Sequence, residues 1–128
     1  MKNKHKEEII AKLVKCEDVK NPEKHFEQLR LMGNKLMQNS KSEDLIITLN
    51  ALANKKRVQI LKILREKDRC VCELEAILDE SQPSISHHLK ILEKVGLVKG
   101  WKKGKFTHYD FVKEKYEFWM ELIKQEIV

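Results

Sequence analysis

Glycine and proline are scarce in this chain, four and two among 128 residues. With so few backbone breakers no segment qualifies as a low-complexity linker, and no internal repeat is visible. The three cysteines are odd in number and spaced unlike a disulfide framework. No apolar run approaches the roughly 20 residues that span a bilayer, and the opening MKNKHKEEII lacks the apolar stretch of a secretory leader. The expectation is a cytoplasmic protein with reduced thiols and no membrane partner. Also missing are a Gly-rich phosphate loop, a GxSxG elbow and an HExxH pair. The five histidines, His5, His25, His87, His88 and His108, show no HxxxH pairing. Neither a reaction centre nor a His-rich metal site is expected, so the chain reads as no enzyme, with no required cofactor.

What is abundant is charge. Lys plus Arg number 26 against 20 Asp plus Glu, a net +6. That excess suits a polyanion, nucleic acid or an anionic membrane surface, and a charge of this size also serves plain solubility. Where the charge sits decides between these. A chain of 128 residues buries a real but small core, which pairing with a second subunit would help.

The apolar spacing is mostly helical. A first helix is expected over about residues 4–19, with Ile9, Ile10, Leu13 and Val14 on one face. Asn21-Pro22 reads as an N-cap followed by proline in the first turn. The helix it opens would bury Phe26, Leu29, Leu36 and Met37. NSKS at 39–42 punctuates, and Ser42 would cap a third helix through EDLIITLNALA. Asn54 would cap a fourth, KKRVQILKILRE, with Val58, Leu61 and Ile63 or Leu64 inward. KDR makes a turn. A short helix over about 70–78 would bury Leu74, Ile77 and Leu78. Ser81 caps a further helix to about Val95, which Gly96 ends. The period then changes: LVKGWKKGKFTHYDF alternates, predicting a hairpin of strands near 97–101 and 105–111. A last amphipathic helix, about Lys113 to Ile127, carries Tyr116, Trp119, Met120 and Ile123 on one side.

Short helix, tight polar turn, helix, hairpin is the order of a helix-turn-helix followed by a β-wing. The predicted fold is mainly α with a small β-hairpin wing. At ~100° per residue, Ile85, Leu89 and Leu92 point one way on the helix after the turn, and His87 and Lys90 the other. Ser84 and Ser86 flank the exposed face and Gln82 stands at its entrance. These groups hydrogen-bond base edges or phosphates, and His88, beside the apolar face, is expected to pack. In the hairpin, Lys99, Lys102, Lys103 and Lys105 crowd around Trp101 and Phe106. From Ser81 to Asp110, six Lys oppose Glu93 and Asp110, a local net of +4. A solvated helix surface and a soluble turn are the plain alternatives. The order of elements favours a duplex-reading helix and a phosphate-gripping wing.

Cys70 and Cys72 stand one residue apart where the short helix begins. Residues two apart on an ideal helix diverge by ~200°, so the pair meets one ion only if the first turn opens. The helix N-terminus and Arg69 are expected to favour thiolate. Thiolates select soft ions, and arsenic(III) or antimony(III) suits a site of two or three sulfurs, whereas structural zinc wants four ligands. The plain alternative is two small apolar fillers. Cys16 either completes a three-sulfur site, from this chain or a partner chain, or packs alone. Glu73 and Glu75 are expected to be a solvated pair.

The strings LNALANKKRVQILKIL, CVCELEAILDESQPSISHHLKILEKVGLV and GKFTHYDF together resemble the ArsR/SmtB family of metal-sensing repressors. The likeness covers about residues 45–111. Within the family they resemble the arsenic-responsive branch, whose helix before the reading helix carries a Cys-Val-Cys element. The resemblance implies a homodimeric winged helix-turn-helix that represses its own operon from an inverted-repeat operator in double-stranded DNA and is released by its inducer. Dimerisation would use terminal helices, here 113–127 and part of 1–53. Residues 41–128 would form the DNA-binding and dimerisation domain, and 1–40 a helical extension beyond the family core. Cys70 and Cys72 match the motif's first two sulfur ligands. Its third falls on Glu75, so either two sulfurs suffice, or Cys16 substitutes, or the ligand differs. The zinc site that some relatives carry on the last helix has no counterpart in VKEKYEFWMELIKQEIV. The implied inducer is arsenic(III) or antimony(III), with other thiophilic metals open. Its chelation would distort the short helix and misalign the reading helices of a dimer, at a coupling of about 5- to 150-fold. Rival readings keep DNA binding but make the cysteines a redox switch or structural, or make the domain a protein-binding module or a nonspecific DNA coat.

Overall fold

The computed structural model describes the chain apart from Met1, Asn39 and Val128, and apart from the side chains of Lys2 and Ser40. It divides into two compact units, Met1–Ser40 and Lys41–Val128.

The N-terminal unit pairs α1 (Lys2–Val14) with α2 (Pro22–Met37). α2 starts as its sequence dictates: the Asn21 side chain accepts from the Lys24 amide at 3.1 Å and Pro22 fills the first turn, where its missing N–H leaves no bond unmade. An ion pair of 2.7 Å joins Lys6 to Glu27, and the Lys6 ammonium lies 5.4 Å from the Phe26 ring centre. α1 ends at Val14, short of the expected 19, because Lys15 to Asp18 offer no apolar face to extend it. Phe26 is buried, but Leu29, Leu36 and Met37, expected inside, are 38, 64 and 80% exposed. A two-helix unit has one seam, and Phe26 occupies it.

The second unit runs α3 (Ser40–Leu52), α4 (Lys55–Glu66), β1 (Arg69–Cys70), α5 (Val71–Leu78), α6 (Gln82–Lys94), β2 (Val98–Lys103), β3 (Phe106–Phe111) and α7 (Lys113–Ile127). Its core gathers Leu45 and Ala51 from α3, Ile60, Leu61 and Leu64 from α4, Leu74 from α5, and Ile85, Leu89 and Leu92 from α6. Leu97 and Val98, with Trp119 and Leu122 from α7, close it. Burying such side chains stabilises the fold by about 1.5–3 kcal/mol each. The Trp119 indole donates to Val95 O at 2.9 Å, fixing α7 on the end of α6.

Several expectations shift. Asn39, part of the expected break before α3, lies outside the described residues. α3 already begins at Ser40, so Ser42 is no cap; its hydroxyl donates to Glu126 at 3.1 Å and ties α3 to α7. Val58 and Ile77, expected inside, are 38 and 50% exposed, whereas Leu74 is buried as expected and Ile60 and Leu122, not singled out, are buried too. Each helix carries two overlapping apolar faces, and spacing does not choose between them.

The sheet is three-stranded and antiparallel in the order β1-β3-β2. Lys103 pairs with Phe106, so the wing turn is Gly104-Lys105, tighter than the expected strands near 97–101 and 105–111. Gly104 has φ +62°, at the first central position, which a type II′ hairpin reserves for glycine. A Cβ on Gly100 would lie 2.9 Å from the Tyr109 ring, so glycine there lets the ring cross β2. Where the sequence predicts only a turn at KDR, β1 forms: Arg69 pairs with Tyr109 and Cys70 with His108.

Candidate nucleic-acid interface and thiol pair

α6 is positioned by its apolar face. Ile85, Leu89 and Leu92 are fully buried, which sets Gln82, His87 and Lys90 outward and leaves Ser84 and Ser86 half-buried. The Ser81 hydroxyl accepts from the Ser84 amide at 3.3 Å and caps the helix. The predicted DNA-facing residues are not all equally available. Ser84 donates to Glu80 at 3.1 Å, and Glu80 pairs with Lys56 at 3.1 Å; these bonds, Lys56 first, hold the Glu80 carboxyl below its usual range. Gln82 reaches Ser86 at 3.4 Å. His88 packs as expected, its Nδ1 3.2 Å from the Arg57 guanidinium.

The hairpin holds a basic surface beside this helix. Lys99, Lys102, Lys103 and Lys105 are all exposed. Trp101 is anchored rather than free: its indole donates to Asp110 at 3.2 Å and its ring stacks on His108 at 4.9 Å and 25°. Phe106 is 57% exposed next to the turn.

The thiol pair differs from expectation in its electrostatics. Cys70 ends β1 and is also the N-cap of α5. Its sulfur accepts from the Glu73 amide at 3.4 Å, while its own amide donates to Glu73 Oε1 at 3.1 Å. This is a capping box with cysteine in the place usual for serine or threonine. Glu73 is therefore not a solvated partner of Glu75. Its other oxygen accepts from Arg69 at 2.9 Å, and these bonds pull its carboxyl from an ordinary 4.5 to about 2. The charge of Arg69 is committed to Glu73. Cys70, only 7% exposed, has its thiol pushed up, first by burial and then by a side-chain hydrogen bond with Cys72, against the lowering pull of the Glu73 amide. Desolvation of a thiolate works against the helix N-terminus, so burial favours the neutral Cys70 thiol, where the sequence suggests a thiolate. Cys72 is exposed.

Cys16 lies beyond the end of α1 in the N-terminal unit, exposed, its thiol 3.9 Å from Lys12 O. Among the described residues no group of three or more Cys, His, Asp or Glu is arranged to hold a metal ion. Cys70 and Cys72 stand one residue apart at the start of α5, the first buried and the second exposed. Sequence reasoning missed Glu73 as the partner of that pair, although Cys-x-x-Glu before an apolar run has the spacing of a capping box.

A short helix, a turn, a buried-faced second helix and a basic antiparallel hairpin define a winged helix-turn-helix domain. Residues 54–99 match the bacterial regulatory proteins of the arsR family. An HTH-type transcriptional regulator of Methanocaldococcus jannaschii is 38% identical over 59% of this chain and 85% of its own. The arsenical resistance operon repressor of Escherichia coli is 46% identical over 45% of this chain, and the match spans 50% of that repressor. Among solved structures, HlyU from Vibrio cholerae is 30% identical over 69% of this chain and 97% of its own, with a TM-score of 0.57. The chain belongs to the ArsR/SmtB family of helix-turn-helix transcriptional regulators, whose members bind operator DNA and are not enzymes. Among the described residues no helix is long and apolar enough to cross a membrane.

Proposed function

We propose that the protein is a cytoplasmic, homodimeric repressor that holds an inverted-repeat operator and lets go when a thiophilic metalloid, arsenic(III) or antimony(III), bridges Cys70 and Cys72. The observation that carries this reading is that the Cys70 sulfur is itself the cap of α5, with the exposed Cys72 two residues on in the first turn. A ligand that takes the sulfur lone pair also takes it from the Glu73 amide. α5 packs on α6, so loosening its first turn moves the surface that aims Gln82, Ser86, His87 and Lys90. Ser84, tied to Glu80, would position the helix entrance and offer its remaining lone pair. Lys99, Lys102, Lys103 and Lys105 would grip phosphates without reading sequence.

Two features support the rest. Ile46 and Ile47 on α3 and Phe118 and Ile127 on α7 are each more than half exposed, as helices awaiting a second subunit would be. The Escherichia coli relative is named for an arsenical resistance operon. Cys70 and Cys72 supply two sulfurs from one turn, and Cys16, from this chain or a partner chain, is the candidate third.

The test is fluorescence anisotropy on the protein's own promoter DNA with added arsenite. Wild type should release the duplex. The Cys70→Ser, Cys72→Ser double variant, whose introduced hydroxyl keeps a capping oxygen at the start of α5, should bind and stay bound. Release of the double variant by arsenite sinks the reading. Two free thiols one residue apart at the start of α5 also favour a second reading. Peroxide would join them as a disulfide, two thiols and one H2O2 giving one S–S bond and two waters. Mass spectrometry after mild peroxide, set beside arsenite, separates the two.

A further inference from the structure

Cys70 does two jobs in one residue: it caps α5 and it pairs with His108 at the edge of the wing sheet. His108 in turn is held from both sides. Its Nδ1 lies 3.3 Å from the carboxylate of Asp68, two residues before Cys70. Its ring stacks against Trp101, its partner on β2, at 4.9 Å and 25°. Trp101 is pinned to Asp110 through its indole at 3.2 Å. The chain of interactions therefore runs unbroken from the segment carrying the thiol cap, through β3, to the strand that bears Lys99, Lys102 and Lys103.

We propose that Asp68, His108 and Trp101 form a lever that carries the state of the Cys70 cap to the wing, with His108 as its positioning residue. The inference rests on the thiol reading above and extends it: α5 speaks to the reading helix by packing, and β1 speaks to the wing by sheet pairing and this side-chain stack. When the Cys70 sulfur leaves the Glu73 amide, the backbone at the β1–α5 junction loses one of its two restraints. Asp68 and the Cys70 strand position then shift together, and His108 passes the shift to the Trp101 ring because a stacked, hydrogen-bonded imidazole has no free rotamer to absorb it. Both grips on DNA are then altered by one event. A packed arrangement with discrete alternatives transmits such a shift as a change between states rather than dissipating it.

The test is a double-mutant cycle read two ways, on the full chain. Cys70→Ala removes the cap without any inducer. It should move the Trp101 indole N–H resonance, assigned with Trp101→Phe, and weaken binding to the protein's promoter DNA by about 5-fold or more, the lower end of ordinary allosteric coupling. In a His108→Gln background the same change should leave the Trp101 signal in place and weaken binding by at least about 2-fold less, the remainder being carried by the packing of α5 on α6. Asp68→Ala removes the partner of His108 Nδ1 and so breaks the link from the other side; it should behave alike, which keeps the test alive if the His108 variant folds poorly. A melting temperature lowered without loss of the coupling would mark a merely structural role. An unmoved indole in Cys70→Ala, or an equal effect of Cys70→Ala in all three backgrounds, overturns the lever. Failure of the thiol reading shows elsewhere, as arsenite failing to release wild type, and leaves the indole readout of the cycle unaffected.

Discussion

The Arg57 guanidinium sits 3.2 Å from His88 Nδ1. A guanidinium only donates, so His88 Nδ1 accepts and the imidazole is neutral. The same Arg57 donates through Nε to Ala51 O at 2.6 Å and through Nη2 to Asn50 O at 3.2 Å. One side chain thereby joins the end of α3 to the reading helix, and it does so only while His88 is unprotonated.

That fixes a pH dependence. Burial, then Arg57 and His87, hold His88 below the ordinary imidazole value of 6.5. Its folded pKa is depressed, so its contribution to stability is complete above 6.5 and is lost as pH falls through the folded value. Urea midpoints should drop between pH 7.5 and 5.5 in wild type, and drop less in His88→Gln. An equal drop in both would assign the effect to other groups.

Glu73 acts in a lower window. Its carboxyl, held near 2 against an ordinary 4.5, stabilises the fold above 4.5, and that contribution is lost as pH falls toward 2. Acid unfolding followed by far-UV circular dichroism should begin at higher pH in wild type than the core alone would dictate, and Glu73→Gln should flatten the curve in that interval. The variant should also be less stable at pH 7, because Gln keeps an acceptor for the Cys70 amide but loses the pairing with the Arg69 charge.

The three thiols should label in order. Cys16 and Cys72 are exposed and Cys70 is buried with its pKa raised. Iodoacetamide at pH 7 followed by intact-mass spectrometry should add two groups quickly and the third slowly. The third should speed up with rising pH and become immediate in guanidinium. Prompt triple labelling at pH 7 would contradict the buried, capping Cys70.

The wing lysines make a salt prediction. Replacing Lys102, Lys103 and Lys105 together by Ala should weaken promoter binding and flatten the plot of log K against log salt by about 2 to 3, at roughly 0.9 for each phosphate no longer neutralised. Lys62→Ala on the outer face of α4 serves as the control that leaves the slope alone. Unchanged slope in the triple variant would place the wing off the DNA.

Much of the fold is legible in the sequence because its signals are local and strong. Asn21-Pro22, Asn54 and Ser81 cap the helices they are expected to cap. The change from helical to alternating period locates the wing, and α7 spans the expected Lys113–Ile127. β1 is not legible, since two residues carry no period and its partner lies about 40 positions on. The rotation of α4 and α5 escapes for a related reason: which of two apolar faces turns inward is decided by distant neighbours. At the thiol pair, the residue types are readable but their charge state is not. Arg69 beside Cys70 in sequence suggests a thiolate, while in space Arg69 belongs to Glu73. Whether Cys70 sits in water or under the sheet is a tertiary fact.

Because Cys70 both finishes β1 and opens α5, there is no spacer between sheet and helix. The junction has zero slack. Adding a single Gly between Cys70 and Val71 would slip Glu73 out of reach of the sulfur and turn Cys72 by about a quarter of a revolution, severing the cap while leaving every chemical group present. The spelling of this segment, not merely its inventory, is what the architecture tolerates least.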